Sequence, residues 1–129
     1  MSVSILVVDD ELDVAEMFRQ RFRREARNGT YVVHFANSGE EALDKLAAGI
    51  EPPLIVILSD INMPVMDGLE LLREIKTRRP DLPVMMVTAY GDDECRRRAT
   101  ELGAYEFVAK PVDFGKLKEQ LRQLSGTGD

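Results

Sequence analysis

Apolar residues recur along this chain in two rhythms, short solid runs and longer helical stripes, which alternate from end to end. The runs are Ile5-Leu6-Val7-Val8, Tyr31-Val32-Val33-His34-Phe35, Leu54-Ile55-Val56-Ile57-Leu58, Val84-Met85-Met86-Val87 and Tyr105-Glu106-Phe107-Val108-Ala109. Their β-branched and aromatic content reads as strand. The middle run, solidly apolar, predicts a strand buried on both faces, at the centre of a parallel sheet covered by helices above and below. Between the runs come the stripes. Val14, Met17, Phe18 and Phe22 share a helical face, with Arg19, Arg21, Arg23 and Arg24 mostly on the other side, and Asn28-Gly29 ends that helix. Ser38, with Glu41 three residues on, makes a capping box for a second helix whose apolar face is Ala42, Leu43, Leu46 and Ala47, closing at Gly49. Asp67 caps a third helix running to about Arg78, with Leu71, Leu72 and Ile75 inward. Asp92 or Asp93 opens a fourth, with Cys95, Ala99 and Leu102 on one face, and Gly103 closes it. Asp113 caps the fifth, where Leu117, Leu121 and Leu124 repeat at helical spacing.

Five strands alternating with five helices through short loops predict one α/β domain, a doubly wound (βα)5 fold. In such a fold the C-terminal ends of the strands collect along one edge of the sheet. Here those ends carry Asp9 and Asp10, Asp60, Thr88 and Lys110. Only the second strand, ending in Phe35-Ala36-Asn37, brings neither charge nor hydroxyl. With strand order 2-1-3-4-5, the first and third strands flank the switch point where ligands bind, and the three carboxylates lie side by side.

Composition narrows the classes. A chain of 129 residues suits one well-filled domain. A net charge of −6 argues against direct nucleic-acid binding. The single cysteine, Cys95, cannot form an internal disulfide. No basic leader followed by an apolar segment opens the chain, and no apolar stretch approaches the roughly 20 residues of a membrane span. The expectation is a cytoplasmic domain with no membrane partner.

Three clustered carboxylates repel: two unit charges ~4 Å apart cost ~4 kcal/mol at an effective dielectric of 20. A proton or a cation must neutralise them. With oxygen ligands alone on offer the cation should be hard, and Mg²⁺, which takes a few carboxylates and keeps several waters, fits best. Those waters leave room for a phosphoryl group. Lys110 supplies a fixed positive charge and Thr88 a hydroxyl donor, so the set reads as a phosphoryl-transfer site with Asp60 as nucleophile.

The chain resembles the receiver domains of two-component response regulators, close to the single-domain chemotaxis type, which have a flavodoxin-like fold. The resemblance covers residue 4 to about 124. It rests on Val7-Val8-Asp9-Asp10-Glu11, Ser59-Asp60-Ile61-Asn62-Met63-Pro64-Val65-Met66-Asp67-Gly68, Thr88-Ala89 and Lys110-Pro111 in that order. It implies a receiver domain over residues 1–124, with 125–129 a flexible tail or the start of a linker. By the same resemblance Asp60 accepts phosphate from a histidine kinase, a phosphotransfer protein or a small phosphodonor. Asp10, Asp60 and the backbone carbonyl of Asn62 hold Mg²⁺ directly, and Asp9 does so through water. Thr88 and Lys110 bind the phosphoryl oxygens, and Lys110-Pro111 is a cis peptide. Thr88 swings toward the phosphate and Phe107, three residues before Lys110, turns inward. The chemotaxis relatives carry a Tyr at the Phe107 position, so a phenol hydroxyl is missing here. The output face is the fourth helix, fifth strand and fifth helix, read by a downstream protein or a fused output domain. Tyr90, two residues past Thr88, is bulky enough to shield the phosphate.

Taken singly, these residues have plainer readings. Asp9-Asp10 reads as a helix cap, Asp60 as a strand-end turn with Asn62, and Thr88 and Lys110 as ordinary strand ends; their coincidence on one edge overturns this. Asp67 stays a helix cap. Met63, Met66, Met85 and Met86 read as loop and core filler, Arg96-Arg97-Arg98 as a solvated face, His34 as structural and Cys95 as a core thiol. Three rival functions fit less well. A haloacid dehalogenase-type phosphohydrolase needs a second Asp where Asn62 stands, and a cap domain. A flavodoxin-like mononucleotide binder needs a loop of Gly, Ser and Thr where Asp9-Asp10-Glu11 stands. A non-phosphorylated scaffold has no use for the full acidic set. The expected role is a self-catalysed phosphorylation switch, not a dedicated multi-turnover enzyme.

Overall fold

The computed structural model describes residues 2–63, 65–88 and 93–125. In chain order the elements are β1 (Val3–Val8), α1 (Leu12–Arg21), α2 (Arg23–Arg27), β2 (Tyr31–Ala36), α3 (Gly39–Ala48), β3 (Leu54–Asp60), α4 (Gly68–Arg78), β4 (Val84–Thr88), α5 (Asp93–Glu101), β5 (Glu106–Ala109) and α6 (Phe114–Ser125). The strands form one parallel sheet, as the alternation of runs and stripes predicts, and its order is the expected β2-β1-β3-β4-β5.

The solid apolar runs are solid because both faces of the sheet are covered. Leu6, Val8, Ile57 and Met86 point into one layer, where they meet Ala42 and Leu43 of α3, Leu71, Leu72 and Ile75 of α4, and Ala99 of α5. Their neighbours Ile5, Val7, Val56, Leu58, Met85 and Val87 point the other way, against Phe18 of α1, Phe22, and Leu117 and Leu121 of α6. Each large side chain fully buried in these layers contributes about 1.5–3 kcal/mol.

Caps fix the helix starts. Ser38 accepts the Glu41 N–H at 3.1 Å, while Glu41 accepts from Asn37 N–H at 2.8 Å. Asp67 accepts the Glu70 N–H at 2.9 Å and Asp113 the Lys116 N–H at 3.1 Å. Gly49 ends α3 with φ +93°, a conformation glycine takes without steric cost.

Several details depart from the sequence reading. The first helix is broken at Phe22 (φ −103°, ψ 13°), giving six helices among the described residues where five are expected. A tertiary contact sits on the break: Lys118 of α6 donates to the Arg21 carbonyl at 2.7 Å, while Phe22 is buried under the same helix. β1 starts two residues earlier than its apolar run, β2 extends to Ala36, and β5 starts at Glu106. Met17 and Ala47, assigned to inward faces, are exposed, because the layers over them are already filled by Phe18, Phe22 and Leu43. Cys95 and Leu102 are half-buried at the rim of the core. Asp93 opens α5; Asp92 lies outside the described residues.

Candidate functional site

The parallel register aligns the strand ends. Val8 pairs with Ser59, so the residues that follow each, Asp9 and Asp60, emerge together at the C-terminal edge between β1 and β3. Asp60 in turn pairs with Val87, and Thr88 with Ala109, which brings β4 and the start of the β5–α6 loop to the same edge. The Lys110 N–H donates to the Thr88 carbonyl at 2.9 Å, and the Lys110–Pro111 peptide is cis.

The side chains converge. Asp60 is 3% exposed, and its Oδ2 lies 3.2 Å from Lys110 Nζ. Asp9 is also buried, and its Oδ1 accepts the Glu11 N–H at 2.9 Å, a local turn that folds the loop back over the strand end. One carboxylate oxygen from each of Asp9, Asp10, Glu11 and Asp60 falls within 4.8 Å of the others. Burial raises the Asp9 carboxyl pKa above the ordinary aspartate range. The charges of Asp60 and Glu11 push the same way, against the Glu11 N–H and Lys110. Thr88 is buried at the end of β4 beside this group. Asn62 is exposed in the loop two residues past Asp60.

Gly68 seats the start of α4 on the end of β3. A Cβ built there would stand 2.3 Å from the Asp60 carbonyl oxygen and 2.7 Å from Ile61 Cα. The Gly68 N–H donates to the Ile61 carbonyl at 2.7 Å. The first turn of α4 therefore packs directly on the backbone that carries Asp60, and only glycine allows it.

The donor set is all oxygen, partly buried and partly open, and one lysine does not balance it. Such a set suits a small hard cation that keeps some of its water. Asp9, Asp10, Asp60, Thr88 and Lys110 are gathered at one edge, and Glu11, though exposed, joins them through the turn its N–H makes with Asp9. Phe107 is half-buried on β5, with the Arg96 guanidinium 5.0 Å from its ring centre. His34 is tied to Ser4 Oγ at 3.0 Å, a structural place. Met85 and Met86 are core, Met63 is buried, and Arg96, Arg97 and Arg98 are exposed. Pro64, Ala89, Tyr90 and residues 126–129 lie outside the described residues.

The model of the response regulator receiver domain matches residues 5–122. The chain belongs to this family. This receiver domain is 38% identical over 121 residues to the transcriptional regulatory protein ZraR of Klebsiella oxytoca, covering 94% of the chain and 26% of that protein. It is 39% identical over 113 residues to the regulatory protein AtoC of Escherichia coli K12, covering 88% and 23%. The receiver thus spans about a quarter of these relatives. The signal receiver domain of an HD domain-containing protein from Pseudomonas fluorescens Pf-5 superposes with a TM-score of 0.86 at 26% identity, covering 98% of this chain and 97% of that one. Receiver domains are phosphorylation-dependent switches of two-component signalling, not dedicated enzymes, and generally use Mg²⁺. Among the described residues no helix is long and apolar enough to cross a membrane.

Proposed function

We propose that Asp60 is the phosphoryl acceptor of this receiver. The observation that carries the reading is the buried Asp60 carboxylate, 3.2 Å from Lys110 at the head of the acidic cluster. An Asp60 carboxylate oxygen attacks the phosphorus of a phosphohistidine on a kinase or phosphotransfer protein, or of acetyl phosphate. The new P–O bond forms as the bond to imidazole nitrogen or acetate oxygen breaks, and its electron pair leaves with that group. Lys110 and the Thr88 hydroxyl meet the phosphoryl oxygens as charge builds there. Asp10, Asp60 and the Asn62 backbone carbonyl, with Asp9 through water, would hold a Mg²⁺ ion, which would supply positive charge to offset the repulsion between the carboxylate and the phosphoryl group. Water attacks the same phosphorus later, the P–O bond to Asp60 breaks, its carboxylate leaves and the switch resets.

The phosphoryl group adds about −1.5 to −2 charges beside Lys110. Thr88 moves toward it, and Phe107 turns into the space vacated. Phe107 makes that turn by giving up the Arg96 guanidinium now over its ring. The α5–β5–α6 face changes as a result, and a downstream protein or a fused output domain reads it. The receiver itself, residues 1–124 with a polar tail beyond, acts in the cytoplasm and touches neither nucleic acid nor membrane.

The test is incubation with Mg²⁺ and acetyl phosphate, followed by intact mass. One added phosphoryl group is expected, absent with a chelator and absent in Asp60→Asn. No adduct under conditions where Mg²⁺ binds would leave a receiver-like scaffold. Steady turnover of a phosphate ester would mean a hydrolase.

A further inference from the structure

A groove far from the carboxylates in charge runs between α1–α2 and the start of α6. It encloses about 660 Å³ and is lined by Arg21, Arg23, Arg24, Arg27 and Lys118, with the Phe114 ring among them and no carboxylate. A second lobe of about 450 Å³ shares Arg24, Asn28, Gly115 and Lys118 with the first and extends it past Thr30 and Tyr31 to Arg122. On a chain of net charge −6, this is a local reversal of sign.

Some arginines are neutralised, Arg122 at the end of the second lobe among them, while Arg73, Arg79, Arg96 and Arg98 have no ion pair among the described residues. Arg19, Arg78, Arg97 and Arg122 each pair with a glutamate one turn away. In the groove Lys118 is engaged by Glu25 at 3.0 Å and by the Arg21 carbonyl, and it serves as wall. Arg21, Arg23, Arg24 and Arg27 have no ion pair among the described residues, and Arg21 instead lies 5.6 Å from the centre of the Phe114 ring. Four guanidinium groups massed without counter-charge repel one another, and a polyanion relieves that.

We propose that this groove docks an extended acidic segment of a partner protein. Guanidinium forks match carboxylates bidentately, and the open two-lobed shape suits a length of chain better than a compact ligand, which needs an enclosing pocket. Glu25, which lines the second lobe, sets a local penalty against a dense polyphosphate.

The probe is an end-capped, fluorescein-labelled peptide alternating Glu and Ser, titrated with the whole chain by anisotropy. Saturable binding is expected, weakening as salt is raised. Arg23→Glu/Arg27→Glu, both exposed, should weaken it at least tenfold. Arg96→Glu/Arg98→Glu, an equal charge change on α5, should leave it within twofold. Amide chemical-shift changes in the unsubstituted protein should concentrate on α2 and the first turns of α6, which locates the site without any substitution. The proposal fails if the peptide does not bind, if both double variants weaken it equally, or if the shifts map elsewhere. It also fails if an oligonucleotide or a phosphatidylglycerol vesicle outcompetes the peptide. Acetyl phosphate labelling of Asp60 is unchanged in Arg23→Glu/Arg27→Glu, so the switch and the groove stand or fall separately.

Discussion

Gly68→Ala is the substitution whose outcome separates a helix-start glycine from one that seats the acceptor. At an ordinary first-turn position, alanine would stabilise by up to about 1 kcal/mol through helix propensity and a less flexible unfolded chain. Here the added Cβ would sit 2.3 Å from the Asp60 carbonyl oxygen, about 0.7 Å inside the 3.0 Å limit below which real Cβ contacts essentially vanish. The nearest neighbours, that oxygen, Ile61 Cα at 2.7 Å and the Asp60 carbonyl carbon at 3.0 Å, are backbone atoms of a buried strand end and cannot rotate away. Relief requires α4 to lift or the end of β3 to shift, and overpacking of this kind costs about 1–3 kcal/mol. For a domain of this size that is a loss of very roughly 3–12 °C in Tm. The same shift displaces Asp60 from Lys110, and a misplacement near 1 Å costs about 10²-fold in rate. Thermal melts and the initial rate of labelling by acetyl phosphate, followed by intact mass, read both effects. A variant as stable as the parent and labelled at the parent rate would refute the close packing of α4 on the end of β3.

Three further outcomes follow from the same structure. Mg²⁺ at about 100 times its Kd should stabilise the folded chain by about 2.7 kcal/mol, and Asp10→Asn, at an exposed position, should abolish most of that shift while melting normally in chelator; an undiminished Mg²⁺ shift would remove Asp10 from the site. Burial, reinforced by Lys45, holds the His34 pKa below its ordinary 6.5 against the opposing Glu51 carbonyl. Folded His34 therefore stays neutral where the unfolded chain protonates. Its contribution is fully present above pH 6.5 and declines as pH falls through that value toward the lowered folded pKa. His34→Gln should flatten the fall in urea midpoint between about pH 7 and 5 that the parent shows, and parallel curves would refute the assignment. Val65 is 91% exposed with φ +67°, a left-handed conformation that costs a β-branched residue roughly 1–3 kcal/mol. Val65→Asn should raise stability by about 0.5–1 kcal/mol in urea denaturation, and a loss would show that the side chain is held by something else.

What the chain discloses in its sequence is whatever repeats, and what it conceals is whatever depends on one contact. The central place of β3 and the two covering layers follow from the run Leu54 to Leu58, since a strand buried on both faces is the one that can be apolar at every position. Asp9, Asp60, Thr88 and Lys110 follow in turn, because topology alone sends strand ends to one edge. The break at Phe22 does not follow, for neither Phe22 nor Arg23 is a helix breaker, and the Lys118 side chain that caps Arg21 lies 97 residues away. Glu11 is recruited to the acidic cluster by a turn that its own N–H makes with Asp9, which a motif reading treats as three neighbouring acids without geometry. Gly68 is the sharpest instance. As sequence it is a residue after a helix cap, and its necessity appears only when the Asp60 carbonyl is found where a Cβ would be. Asp60 is therefore positioned from two sides, by Lys110 through charge and by Gly68 through the absence of a side chain, and only the first of these has a chemical signature that a sequence can carry.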